Sequence, residues 1–503
     1  MVYKIRSVEI AETDELFGWC EHVTSCSTNL YNAVRFRQRQ LITASNKKED
    51  ELSDHEKDVL AELKFVDSSY SLAENGPFLC YEAMNNWMHQ IKNPDYTAKG
   101  LSAQTAQQIV KQCVSDMDNF LKALVAWKAN PSKFTGKPNF PGYRKKKGHS
   151  TVIITNQDAS LYEQKGKWYL TLVFARKIPL CVGKVISGYR LKQVTVSPIH
   201  GRYQINATLE SEEEQRSDDL DVKRMCSIDY GVDNLMAVVN NFGEPSLLFK
   251  GGVAKSINQY YNNKQMAKLM SEQTKGTTNK FVPTKESMTL TRKRNHSLHD
   301  LMNKSANMLI EWCRRNKVGR IVVGHNAGWK QKSNLGKTNN QNFVQLPFSY
   351  LTKAILWRAE RFGIDVVLQE ESYTSKADFL SMDDIPVYKE GDQTKYTFSG
   401  HRRPTHYKEM YKKDGFRGLY MSGTGKIVNS DLNGAANIMR KAYPSAFTDT
   451  SMPNFDQVII IKHPDYDRNV LNHQKQCAKP SKVSKTTQHR RHTKILAAIT
   501  NQM

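Results

Sequence analysis

The sequence predicts a multidomain α+β protein: a small antiparallel β domain enclosing a helical insert, followed by an α/β domain in which strands come to alternate with helices. Three observations predict it. The chain has 503 residues, about three domains at roughly 100–200 residues each. An apolar stripe at helical spacing fills residues 102–127, with strand-like alternation before and after it. From residue 222 three short strands follow one another and give way to helix–strand alternation. With 39% hydrophobic and 10% aromatic residues the chain can bury sizeable cores, which excludes a wholly disordered basic protein.

The first nine residues alternate as a strand does, and residues 13–45 read as a helix ending in the polar stretch Asn46–Glu51. Helical pattern continues to residue 130; Ile109, Cys113, Met117, Phe120, Leu121 and Leu124 line one apolar face. The composition then changes. Pro131–Lys147 carries six basic residues, no acidic ones and three aromatics among its prolines and glycines, so it reads as a loop. Cations suit phosphates and rings suit bases or sugars, which makes this loop a candidate nucleic-acid contact; a solvated linker is the plainer alternative. Strand-like runs at 151–155, 168–174, 193–196 and 203–209 make residues 131–220, with 1–10, a β domain around the helical insert 11–130. Glu210–Asp221, with seven acids and one base, reads as a polar linker.

Beyond it, Met225–Ile228, Leu235–Val239 and Ser246–Phe249 are short apolar strands. A long helical region, Lys285–Asn316, expected to break near its start, precedes the strand Ile321–Val323. A second helix, Phe348–Phe362, leads to the strand Ile364–Leu368. Three antiparallel strands followed by two helix-linked ones are the layout of a ribonuclease H-like sheet.

Lys and Arg number 73 against 50 Asp and Glu, a formal charge of +23, and such an excess points to a polyanionic partner, nucleic acid first. No apolar run approaches the ~18 residues of a membrane-spanning helix, and the first residues lack the apolar core of a signal peptide. The eight cysteines are scattered with no C-x-x-C unit; this reads as reduced thiols in a cytoplasmic or nuclear compartment and argues against a zinc ribbon.

Acidic residues fall at the ends of the predicted elements. Asp229 ends the first strand of the α/β domain, Glu370 and Glu371 follow the strand from Ile364, and Asp431 opens a helix at Asn429–Ile438. Singly, each reads as a helix cap or a solvated turn. Together, on one sheet edge, they repel unless a cation lies between them, and hard oxygen ligands suit Mg²⁺ or Mn²⁺. Three carboxylates, two divalent ions and a scissile phosphate approach neutrality, the balance of two-metal phosphodiester cleavage.

Three segments resemble the RuvC nuclease motifs of the TnpB family, the transposon-associated RNA-guided nucleases similar to type V CRISPR effectors. They are Ser227–Gly231, Glu370–Lys376, and Arg417–Tyr420 followed by Asn429–Ile438; further matches are Gly328–Gln331, Asn339–Phe343 and Asn139–Tyr143. The resemblance implies a wedge-like β domain (1–10 and 131–220), a helical recognition domain (11–130), a RuvC-like nuclease domain (221–371 and 427–445) and a lid or target-binding insert (372–426); beyond it, composition reads 446–503 as a basic C-terminal tail whose stretch 473–494, with seven Lys or Arg and no acid, forms a disordered arm adding phosphate affinity. It further implies guide RNA and double-stranded target DNA as partners, with a short flanking motif read by the protein. Asp229, Glu371 and Asp431 become the expected catalytic and metal-binding residues. Lys137, Tyr143, Arg144, Lys145, Lys146, Lys147, Lys330, Arg402, Arg403 and Arg417 become the expected nucleic-acid contacts.

The chain departs from the family pattern twice. The strand that carries the second acid in many members here reads Ile321–Asn326 and has none, so a glutamate just before Tyr373-Thr374-Ser375-Lys376 is the substitute. Alternation groups Glu371 with Asp365, Val367 and Gln369 on the more polar face, which favours it over Glu370. Residues 377–426 also lack the zinc-binding cysteines of typical members, so no zinc is expected and the insert reads as a zinc-free lid. A compact type V effector, a guided DNA-binding repressor without cleavage, and a strand-joining transposase remain alternatives.

Overall fold

A computed structural model of the protein describes residues 2–66, 80–97, 101–212, 219–274, 280–325, 345–387, 394–402, 418–448 and 451–465. The chain divides into two compact units, residues 1–214 with 272–292, and residues 215–271 with 293–503. Both mix helices with sheets, so the fold is a multidomain α/β one.

In the first unit β1 (Val2–Ile10) lies antiparallel to β7 (Arg202–Ser211), and β6 (Arg190–Ile199) and β2 (Val152–Thr155) complete the sheet in the order β1-β7-β6-β2. Against it pack α1 (Phe17–Ala44) and α4 (Ala103–Ala129), with α2 (Asp54–Val66) and α3 (Tyr81–Gln90) between them in the chain. Ser102 caps α4 by accepting from Thr105 N–H, and the Ile109–Cys113–Met117 stripe is buried. A second sheet, β3 (Ala159–Gln164), β4 (Lys167–Leu172) and β5 (Leu180–Lys184), was not fully legible. Its strands are short, and β3 is exposed along most of its length, so apolar alternation is weak.

The second unit is built on a six-stranded mixed sheet in the order β12-β11-β8-β9-β10-β16. β8 (Asp221–Asp229), β9 (Asn234–Asn240) and β10 (Pro245–Lys250) are antiparallel; β11 (Val318–Gly324) runs parallel to β8, and β12 (Asp365–Gln369) parallel to β11. Between β10 and β11 come α5 (Gly252–Gln259), a π-helical turn at Tyr260–Met266, α6 (Ala267–Thr274) and α7 (Lys285–Arg315). The break expected near the start of α7 is absent. α8 (Phe348–Arg361) links β11 to β12, and α9 (Ser430–Ala442) follows the small sheet β13 (His401–Arg402), β14 (Leu419–Met421) and β15 (Ile427–Asn429).

Strand alternation divides the large sheet's faces. Cys226, Ile228, Ile321, Val323 and Val366 meet α7 and α8 in one core, while Met225, Ala237 and Val239 meet Leu432, Ala435 and Met439 of α9 in another. Within the C-terminal tail, β16 (Asn454–Ile461) pairs in parallel with β10 as the sixth strand, an element the sequence reading did not name. The basic stretch 473–494 lies outside the described residues.

Candidate active site

Asp229 shares its strand face with Met225 and Ser227, the face covered by α9. Ser227 Oγ donates to the Ala435 carbonyl at 2.6 Å, which draws α9 against β8. The approach is close enough that a Cβ at Gly434 would collide with Asp229 Oδ2. On β11, Val322 and Gly324 turn to the same face, opposite in parity to the core residues Ile321 and Val323. There the missing side chain matters: a Cβ at Gly324 would stand 2.5 Å from Glu371 Oε2. The chain leaving β12 thus brings the Glu371 carboxylate into space that any other residue at 324 would fill.

Glu370 turns elsewhere. Its carboxylate accepts from Lys441 Nζ at 2.6 Å and from the Ser372 backbone N–H at 2.6 Å, with the Ser372 hydroxyl also on it. Burial pulls its pKa upward, but the bonds from Lys441 and Ser372 outweigh this and hold it below the usual carboxylate value.

Asp431 lies in the first turn of α9, where a negative charge meets the helix N-terminus. The cap itself is Asn429, whose side chain accepts from the Asp431 and Leu432 N–H groups. Asn234 Nδ2 donates to Asp431 Oδ2 at 2.6 Å, and Lys250 Nζ to Asn234 Oδ1 at 2.7 Å, so a lysine–asparagine relay fixes the carboxylate's direction. Arg402, on β13, stands 3.7 Å from Asp431 Oδ1. At Gly231 a Cβ would stand 2.9 Å from the Asn234 carbonyl oxygen, so the missing side chain lets the chain after β8 pass close to the start of β9.

The electrostatics are those of acids crowded together. Burial, then the charges of Glu371 and Asp431, push Asp229 well above the ordinary aspartate value, with Arg402 opposing. Burial, then Glu370, raises Glu371 to about 7. Among the described residues no three His, Cys, Asp or Glu side chains stand close enough to hold a metal ion as they are. The donor set nevertheless fits a divalent cation: three hard carboxylates from separate elements, two of them, Asp229 and Glu371, seated where a glycine leaves room and destabilised as anions.

Two asparagines of the Asp431–Asn437 segment hold the chain after Glu371. Asn437 Nδ2 donates to the Thr374 and Ala377 carbonyls at 2.9 and 2.7 Å; Asn433 donates to Ala377 at 2.8 Å and accepts from Phe379 N–H at 3.0 Å. Next along the chain, the fully buried Asp378 accepts from the Ser381 and Ser422 hydroxyls at 2.7 and 2.6 Å and from Gly423 N–H at 2.7 Å. Hydrogen bonds to one carboxylate thus tie this stretch to the β14–β15 hairpin.

Other expected contacts fall in different places. Lys330, Arg403 and Arg417 lie outside the described residues, as do the Gly328–Gln331 and Asn339–Phe343 segments. In the first unit Lys137, Lys145, Lys146 and Lys147 are exposed, and Tyr143 shares the Arg39 guanidinium with Phe140, the two ring centroids 5.2 and 5.0 Å away. Arg144 is engaged within the first unit: its guanidinium sits 3.7 Å over the Tyr31 ring and donates to Gln112 Oε1 at 3.0 Å. The sequence reading missed Gly324, Asn234 and Lys250. A glycine at the strand end was visible but read only as a lost acid.

The comparisons bear on part of this. Residues 208–330 match the family model OrfB_IS605, described as a probable transposase; the segment contains Asp229 and Gly324 but neither Glu371 nor Asp431. No curated protein matches the chain. Among solved structures, a Cas12f1 chain in a complex with sgRNA and target DNA is 12% identical, with 83% of this chain and 81% of that chain covered and a TM-score of 0.47. A mini-RNA-guided endonuclease, CRISPR-Cas phi3, is 10% identical, with 88% and 92% covered and a TM-score of 0.36. At such scores the likeness is too loose to argue from. Through residues 208–330, which carry β8 to β11 and Asp229, the chain is similar to the OrfB_IS605 family, described as probable transposases.

Proposed function

We propose that the protein is an RNA-guided DNA endonuclease with a RuvC-type site, in which Asp229, Glu371 and Asp431 hydrolyse target DNA after a guide RNA has paired with it. The single observation that carries this reading is the convergence of three carboxylates at one edge of a mixed sheet, Asp229 seated against Gly434 and Glu371 against Gly324, with the charges of Glu371 and Asp431 both acting on Asp229. Such crowding costs stability, and a cation-dependent reaction gives it a use. Asp229, Glu371 and Asp431 would hold the divalent ions, Mg²⁺ or Mn²⁺, which when bound polarise a scissile phosphate and acidify water. Asn234 and Lys250 orient Asp431. Arg402 brings a cation beside Asp431, suited to a phosphate oxygen. Lys137, Tyr143, Lys145, Lys146 and Lys147 serve backbone contact, and sequence is read by base pairing plus a short flanking motif.

The test is to purify the protein with its co-purifying RNA, sequence that RNA, and add matched double-stranded DNA with Mg²⁺. A discrete RNA and cleavage abolished by Asp229→Ala support the reading. No discrete RNA, or cleavage indifferent to Asp229→Ala, overturns it. The matched family's description as a probable transposase favours one second reading, strand joining. Joined rather than hydrolysed product ends would select it.

A further inference from the structure

The sheet β3–β4–β5 carries a surface that the nuclease reading leaves unused. Its inner face is core, through Ala159, Leu170, Leu172 and Val182. Alternation therefore turns Ser160, Tyr162, Lys167, Tyr169 and Thr171 outward. Register sets Tyr162 directly opposite Tyr169, and the two rings stack with centroids 5.6 Å apart and planes 21° from parallel. Tyr162 is 40% exposed, so the pair shows an aromatic surface to water.

Cations flank the rings. Lys167 pairs with Gln164 on one side and Lys184 on the other, forming a row two residues, about 6.6 Å, from the tyrosines. The hairpin turn adds Lys165, with φ of 50°. On the far side of the rings the Ser160 and Thr171 hydroxyls are 2.7 Å apart. The sole acid in these strands, Glu163, has the parity of the buried Trp168. Paired flat rings, a row of positive charge and small hydroxyls match what an unpaired nucleic-acid strand offers: base faces, phosphates and sugar hydroxyls.

We propose that the outer face of β3–β4–β5 binds single-stranded RNA, with Tyr162 and Tyr169 stacking on bases and Lys165, Lys167 and Lys184 meeting the flanking phosphates. RNA is favoured over DNA because Ser160, Thr171 and Gln164 supply hydrogen-bonding groups that a 2′-hydroxyl can use. The site stands independently of the nuclease reading, since it needs neither the acidic cluster nor cleavage.

The test uses the full-length protein, freed of nucleic acid, and an oligouridine twelve-mer carrying 5-bromouridine as photocrosslinking probe. Adducts are expected on Tyr162 or Tyr169. Tyr162→Ala with Tyr169→Ala should weaken binding about tenfold or more, because stacking on each ring contributes on that scale, while the paired phenylalanine variant should retain it. Replacing Lys165, Lys167 and Lys184 by Ala should flatten the salt dependence by about 0.7 for each phosphate no longer neutralised. Two further measurements guard the reading. Melting temperatures show whether the alanine pair folds, and a deoxyuridine twelve-mer asks whether sugar identity matters. Adducts confined to other segments, or a folded alanine pair that binds as tightly as the parent, overturn the site. Equal binding of the deoxy probe overturns its assignment to RNA.

Discussion

Glycine 324 works by having no side chain. Its Cβ position is 2.5 Å from Glu371 Oε2, so Gly324→Ala should displace the carboxylate and cut cleavage about 100-fold, as small misplacements of reacting groups do. The same Cβ would stand 2.7 Å from the buried Ile438 Cδ1, so the melting temperature should also fall; cleavage lost at a temperature where the variant is still folded separates the carboxylate effect from misfolding. The neighbouring glutamates divide sharply. Glu371→Gln should abolish cleavage, whereas Glu370→Gln, which loses only its bond to Lys441, should cleave within a few-fold of the parent; the opposite result would reassign the site. Protonation supplies a further prediction. Glu371 ionises near its ordinary 4.5 when unfolded and at about 7 when folded, so the folded state holds the extra proton between those values. Stability from this group is therefore lost as pH rises from about 4.5 to 7, and Asp229 acts in the same direction. Without divalent ions the melting temperature of the parent should fall more steeply over that range than that of Glu371→Gln. Added Mg²⁺ should raise it more at about pH 8 than at about pH 6.

Among the elements, α9 does the most positioning. Its small residues lie fully buried on β8, and its asparagines bind the carbonyls of the segment that follows Glu371. Asn437→Ala would leave the Thr374 and Ala377 carbonyls short of a buried donor, at a cost of about 1–3 kcal/mol. Denaturant midpoints should shift accordingly, and cleavage should fall with the loosened segment. Asp378→Ala should destabilise the β14–β15 hairpin through loss of the Ser381, Ser422 and Gly423 bonds, detectable as faster amide exchange in that hairpin.

Over the whole molecule, the proposed function together with an excess of 23 positive charges predicts a nucleic-acid affinity that falls steeply with salt. Lys145, Lys146 and Lys147 replaced together by Ala should flatten that slope, by about 0.9 for each duplex phosphate they neutralise in the parent. Arg144→Ala should instead lower stability, because its guanidinium is engaged on Tyr31 and Gln112. Salt titrations and melting curves on the two variants distinguish these outcomes. No helix among the described residues is long and apolar enough to cross a membrane.

Much of the architecture was legible because periodicity is local. The stripe in α4 and the apolar runs of β8 to β12 follow from residues a few positions apart. Long-range pairing was not legible. β16 joins β10 across some 200 residues of chain, and no local pattern names a strand's partner. That Tyr31 lies beneath the Arg144 guanidinium is likewise written in no local pattern. The sequence by itself determined which residues are acidic at strand ends and which loops are basic. Only the tertiary structure decided that Gly324 and Gly434 face Glu371 and Asp229, because the space a missing Cβ leaves exists only once a distant strand or helix has packed against it.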